Sequence, residues 1–143
     1  MTKLKWKGRW AIHLPLAAFA FTAVTSAYAQ ESSNIVLELN KLTSLEASCE
    51  LTFLVENKTS TRVEKLALEF AFLDKNGQLS KLATLNFGAL VTQRPKIAQF
   101  GLTQTNCQDL SKIFINSASE CAGVVADDCI GIITKSNKTS IEF

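Results

Sequence analysis

The sequence predicts an all-β protein, an immunoglobulin-like antiparallel β-sandwich of seven or eight short strands preceded by an N-terminal signal helix. Three observations carry this. Apolar and polar residues alternate over 49–55 and again over 63–73, the period of a half-buried strand. Turn-forming clusters separate the apolar runs at short intervals. Beyond residue 29 no stretch sustains the 3.6-residue period of an amphipathic helix.

The N-terminal segment comes first. Lys3, Lys5, Lys7 and Arg9 give it four positive charges and no acid. Residues 11–24 are mostly apolar, and Ala27-Tyr28-Ala29 is a small-x-small triplet. Together these form the pattern of a secretory signal peptide, with cleavage expected between Ala29 and Gln30. The expected organisation is therefore a signal over 1–29 and a disulfide-bearing domain over 30–143. A spanning helix needs about 20 apolar residues. The rival reading is an uncleaved membrane anchor, but His13, Pro15, Thr22, Thr25 and Ser26 dilute this stretch, so cleavage is favoured and no stable membrane span is expected after it. Arg9 stands alone, which favours the Sec route over the twin-arginine route.

The strands follow in order. Residues 35–39 read as the first. In 49–55, Cys49, Leu51, Phe53 and Val55 share one face. Residues 57–62 are a turn by composition. In 63–73, Leu66, Leu68, Phe70 and Phe72 share one face; the small Ala67 and Ala71 on the other suggest that it too is partly covered. Asp74-Lys75-Asn76-Gly77 closes a hairpin, Asn-Gly supplying positive φ angles, and 79–87 returns as its partner. Pro95 cannot donate to a ladder, so the strand over 95–102 starts there or lies at an edge. Residues 107–110 suggest a turn or a single helical turn, and 121–128 carry no clear signal. Short strands are expected at 113–115, 130–134 and 139–143. No internal repeat is evident.

Removal of the signal changes the chemistry. The remaining chain holds 11 Lys and Arg against 13 Asp and Glu, a net charge of −2. Without a basic cluster it is a poor partner for nucleic acid, whose affinity comes largely from neutralised phosphates. His13, Trp6, Trp10 and Tyr28 all lie in the signal. Beyond it there is no His for a Ser-His-Asp or Cys-His centre, or for most catalytic metal sites. No indole or phenol remains for sugar stacking, and the five remaining glycines are isolated rather than gathered in a phosphate loop. The chain is thus expected to be no enzyme and to need no cofactor or metal.

Cys49, Cys107, Cys121 and Cys129 are an even set, which in an oxidising compartment reads as two disulfides. Three pairings exist; Cys121–Cys129 as a local staple with Cys49–Cys107 as a long-range tie is favoured. The spacings lack the short C-x2-C pairs of a zinc site. Asp127-Asp128 supplies two carboxylates, whereas calcium takes six or more oxygens, so a solvated loop is the simpler reading. Asn57-Lys58-Thr59 and Asn137-Lys138-Thr139 match the glycosylation sequon but read here as polar turns. Phe143 either packs as the last ring of a closing strand or is presented to a peptide-binding partner.

The stretch Asn57-Lys58-Thr59 to Val63, followed by Leu66 through Phe72-Leu73-Asp74-Lys75-Asn76-Gly77, resembles the FxLYD-like immunoglobulin-type domains of bacterial envelopes, although Phe72-Leu73-Asp74 lacks their tyrosine. The wider layout is similar to a family of small alphaproteobacterial exported proteins often labelled Tat-signal-domain proteins. It shares Leu37 to Leu42, Cys49, Val55-Glu56-Asn57, Cys107, Ile115-Asn116 and Asp127-Asp128-Cys129. The resemblance implies fold and export but no reaction, and the missing arginine pair departs from the Tat label.

These readings lead to a non-enzymatic periplasmic protein acting through contact with envelope proteins of unknown identity. Glu120, Asp127, Asp128, Ile141 and Phe143 are the candidate contact residues, the last two on a terminal strand open to β-addition. The alternative is a periplasmic carrier of a small apolar ligand, motivated by the seven Phe that follow the signal.

Overall fold

The computed structural model describes residues 34–124 and 129–143, together with Lys3 and Gly8. The chain divides into two units, Met1–Gln30 and Glu31–Phe143, and the fold below is that of the second. The expected signal helix, with Ala27, Ala29 and Gln30, lies outside the described residues.

Among the described residues, seven strands form two sheets. They are β1 (Ile35–Leu45), β2 (Ser48–Asn57), β3 (Val63–Asp74), β4 (Leu79–Leu90), β5 (Pro95–Thr103), β6 (Leu110–Ala122) and β7 (Ile133–Asn137). Sheet A has the order β5-β2-β1-β7 and sheet B the order β4-β3-β6. A single 3-10 turn, Cys107–Asp109, leads into β6. The sandwich matches the expected class with one correction: β7 runs parallel to β1, from Ile35↔Ile133 to Leu39↔Asn137.

Alternation decides which faces meet. Ile35, Leu37 and Leu39 of β1 and Cys49, Leu51, Phe53 and Val55 of β2 point inward from sheet A. Leu66, Leu68, Phe70 and Phe72 of β3 answer from sheet B. Phe53 is the hub. Its ring centroid lies 5.6 Å from both Phe70 and Phe87, 6.1 Å from Phe100 and 5.9 Å from Phe143. Tilted and edge-on rings at these spacings add roughly 0.5–1.5 kcal/mol per pair beyond their burial.

Several strands run longer than their sequence signal. β1 continues past Leu39 because a bulge at Asn40 carries the β2 register on to Leu45↔Ser48. β6 takes in the unassigned residues 116–122 because Lys65↔Ala122 and Leu66↔Cys121 hold that polar stretch against β3. The hairpin after β3 also differs from expectation. Only Gly77 has a positive φ, 75°. The Asp74 carboxylate instead accepts from the amides of Asn76 and Gln78 at 2.8 and 2.9 Å, which fixes the turn without a left-handed Asn76.

The expected strand over 139–143 is absent, and the chain ends differently. After β7 an Asn137 turn carries the tail across to sheet B, where it makes one parallel bridge, Lys112↔Glu142. The Ile113 amide donates to the Glu142 carbonyl at 2.8 Å, and the Glu142 amide to Ser111 at 2.9 Å. Ile141 is 8% exposed, and the Phe143 ring joins the core cluster under Lys135, whose Nζ lies 5.4 Å from the ring centroid.

Candidate functional site

The two outer faces of the sandwich differ. A solvated sheet face normally carries polar residues at alternate positions; on sheet A, Glu50, Thr52 and Glu56 of β2 and Gln99 of β5 do so, with one apolar pair among them, Leu54 and the 57% exposed Ile97. Glu38 of β1 accepts from Asn40 at 2.8 Å and from Ser136 of β7 at 3.1 Å. The Asn40 bond above all holds the Glu38 carboxyl below the usual carboxylate range, with Ser136 and Lys138 acting in the same sense against partial burial.

Sheet B is divided. On β3 the residues directed outward are Lys65, Ala67, Glu69, Ala71 and Leu73, alternating with the inward Leu66, Leu68, Phe70 and Phe72; the small Ala67 and Ala71 are themselves covered, at 3% and 2% exposed. One half of this face is polar. Lys65 Nζ contacts Glu120 Oε1 at 2.7 Å, and Asn116 Nδ2 donates to Glu69 Oε1 at 2.6 Å. The other half is apolar. Ala71 stands between Leu82 of β4 and Phe114 of β6 in one cross-strand row, and Leu73 pairs with Leu79 in the next. Leu79 and Leu82 are 58% and 48% exposed. Phe114 is half-buried here, while Phe53, Phe70, Phe72, Phe87, Phe100 and Phe143 pack against one another between the sheets. Apolar side chains gathered on an outer sheet face, rimmed by polar groups, form the type of surface that marks an interaction site.

Three of the four strand edges, those of β5, β6 and β7, are poor receptors by comparison. β6 carries an extra residue at each of Ser111, Asn116 and Ser119, and such bulges break the ladder a partner strand would extend. β7 is only five residues long. β5 begins at Pro95 and turns Lys96 inward opposite Val55, with Lys96 Nζ donating to the Phe87 carbonyl at 2.6 Å. Short strands, prolines, bulges and inward charges are the usual means of blocking edge-to-edge pairing.

The sequence-predicted residues are therefore placed unevenly. Both favoured disulfides are present: Cys49–Cys107 ties β2 to the 3-10 turn, and Cys121–Cys129 joins the end of β6 to the approach to β7. Glu120 lies exposed at the polar end of the sheet B face. Ile141 and Phe143 are not an open strand, because the first is buried and the second fills the core, so the expected β-addition there is corrected. Asp127 and Asp128 lie outside the described residues. Among the described residues, no three His, Cys, Asp or Glu side chains gather where they could hold a metal ion.

The partial cover of this face is expected from the sequence, but the outer row itself is not, because a strand is read there by its inner face. Its signal was available in the small Ala67 and Ala71 of β3 and in an Ile-Phe-Ile run, 113–115, that is apolar on both faces. No helix among the described residues is long and apolar enough to cross a membrane. No family model matches the chain, and no curated protein matches it in sequence. In three dimensions it is similar to the solved structure of IrmA from Escherichia coli, with a TM-score of 0.57 and 13% identity over 71% of this chain and 90% of that one. A likeness at that identity is one of fold alone.

Proposed function

We propose that this is a non-enzymatic protein of the bacterial periplasm that works by contact with another envelope protein through the apolar half of sheet B. The observation that carries the reading is the row Leu82–Ala71–Phe114, backed by Leu73 and Leu79, on a face that should be polar. Its layout, apolar centre beside the charged Lys65–Glu120 and Glu69–Asn116 groups, is that of an interface core and its rim. Two disulfides favour an oxidising compartment, in keeping with the leader pattern at the N-terminus. The resemblance of 57–77 to FxLYD-like envelope domains supports the same setting.

The alternative, a carrier of a small apolar ligand, asks for an apolar cavity between the sheets. The rings there sit 5.1–6.4 Å apart in mutual contact, so the Phe content is accounted for by ordinary core packing. The test is chemical crosslinking in intact envelopes with the protein expressed from the full chain. One discrete adduct is expected for the wild type and its loss in Leu82→Asp, with thermal stability retained. An adduct that survives Leu82→Asp unchanged, or no adduct at any crosslinker length, would remove the proposal.

A further inference from the structure

A second site lies apart from the sheet B face, at the connection from β4 to β5. An open cleft of about 290 Å³ is lined there by Ala89, Leu90, Val91, Arg94, Pro95 and Lys96. Its wall is fixed. Gln93 holds a left-handed φ of 56°, its amide donates to the Asn57 carbonyl at 2.7 Å, and its side chain donates to the Lys58 carbonyl at 3.2 Å. The connection is thereby pinned to the end of β2, whose buried Asn57 also donates to the Leu90 carbonyl at 3.1 Å.

The chemistry of the lining is specific. Lys96 Nζ spends one donor on the Phe87 carbonyl at 2.6 Å, and an ammonium has three. Arg94 makes no ion pair among the described residues, and neither does Lys96. The acid nearest in register is Glu56, opposite Pro95, and it faces Lys58 at 3.7 Å. Two cations without a carboxylate partner thus stand beside apolar surface. Val91 is 43% exposed at the rim, and Leu90, 2% exposed, forms the floor. A volume of about 290 Å³ holds on the order of ten water-sized groups. That suits a small ligand or the last residue of a chain.

We infer that this cleft binds a carboxylate carried on a short aliphatic group, the guanidinium of Arg94 and the free donors of Lys96 taking the anion while Val91 and Pro95 cover the aliphatic part. Two sources share that chemistry, a short-chain fatty acid and the C-terminal residue of an aliphatic-ended peptide. The site is independent of the sheet B interface, and either can fail without the other.

Backbone amide shifts of the isotope-labelled protein, expressed from the full chain, provide the test. Titration with hexanoate and with N-acetyl-leucine should move amides within 89–96 and saturate in the millimolar range. Hexanol and N-acetyl-leucinamide, which lack the charge, should bind at least five-fold more weakly. Arg94→Ala should weaken hexanoate at least five-fold while amides of β1 and β3 stay in place, and Val91→Glu should abolish binding. Tighter binding of N-acetyl-leucine than of hexanoate points to a chain end, and the reverse to a free acid. Equal shifts from hexanol, an unchanged affinity in Arg94→Ala, or no shifts within 89–96 would overturn the inference.

Discussion

Asn57 and Asn137 offer a controlled experiment that the chain itself supplies. Each begins the tetrapeptide Asn-Lys-Thr-Ser, and each folds it into the same turn. Asn57 Oδ1 accepts from the Thr59 amide at 3.0 Å and its hydroxyl at 2.7 Å, and Asn57 Nδ2 donates to the Thr61 carbonyl at 2.9 Å. Asn137 Oδ1 accepts from the Thr139 amide and hydroxyl, both at 2.9 Å, and its Nδ2 donates to the Ile141 carbonyl at 2.5 Å. The difference is burial. Asn57 is fully buried and also holds the Leu90 carbonyl, whereas Asn137 is exposed. Alanine at 57 strands two groups away from water, the Leu90 carbonyl and the Thr59 amide, at about 1–3 kcal/mol each. Alanine at 137 leaves groups that water can reach, so only the net worth of the bonds is lost, about 1 kcal/mol. The expected costs are therefore about 2–6 kcal/mol for Asn57→Ala and about 1 for Asn137→Ala. At roughly 4 °C per kcal/mol for a domain of this size, the melting temperatures should fall by about 8–24 and about 4 °C. Equilibrium urea unfolding, followed by circular dichroism, measures both. Equal costs at the two positions, or less than about 1 kcal/mol at Asn57, would refute the argument from burial.

Other outcomes follow from the same structure. Replacing Cys49 and Cys107 by Ala frees a separation of 58 residues and should cost about 4 kcal/mol, against about 2.5 for the 8-residue Cys121–Cys129 loop, read by the shift in urea midpoint. Glu38 has a depressed folded-state pKa, so what it contributes is present above the ordinary carboxylate range and lost as pH falls through the depressed value. Glu38→Gln should accordingly shallow the acid limb of a stability–pH curve and leave stability unchanged in its slope above pH ~6, well clear of carboxylate titration. Protein recovered from the envelope should begin at Gln30. Lacking Trp and Tyr, it should absorb at 280 nm only through its cystines, which a mass spectrum and an absorption scan check together.

What could be read from the sequence was what alternation and turn chemistry control. The inner faces of β2 and β3 follow from Cys49 to Val55 and Leu66 to Phe72, because burial on one face imposes a period of two. The start of β5 follows from Pro95, whose missing amide suits an edge. The end of the chain was not legible. Thr139, Ile141 and Phe143 alternate as in a strand, but the turn at Asn137 aims the tail at the bulged start of β6, where it makes one bridge. The turn itself is expected from Asn137-Lys138-Thr139; the direction in which it sends the tail is not. The full length of β6 could not be anticipated, because Ser117, Ala118 and Glu120 become strand only through their pairing with β3. The outer apolar row is likewise a tertiary fact. Leu82, Ala71 and Phe114 belong to three strands, and only the register of sheet B lines them up.

The most direct trial of the contact surface is a photo-crosslinking amino acid placed in living cells at Leu82, and separately at Gln99 on the outward face of sheet A. The account predicts one discrete adduct from position 82, competed away by excess unlabelled protein, and none from position 99. Adducts of equal yield from both positions, or from position 99 alone, would contradict it.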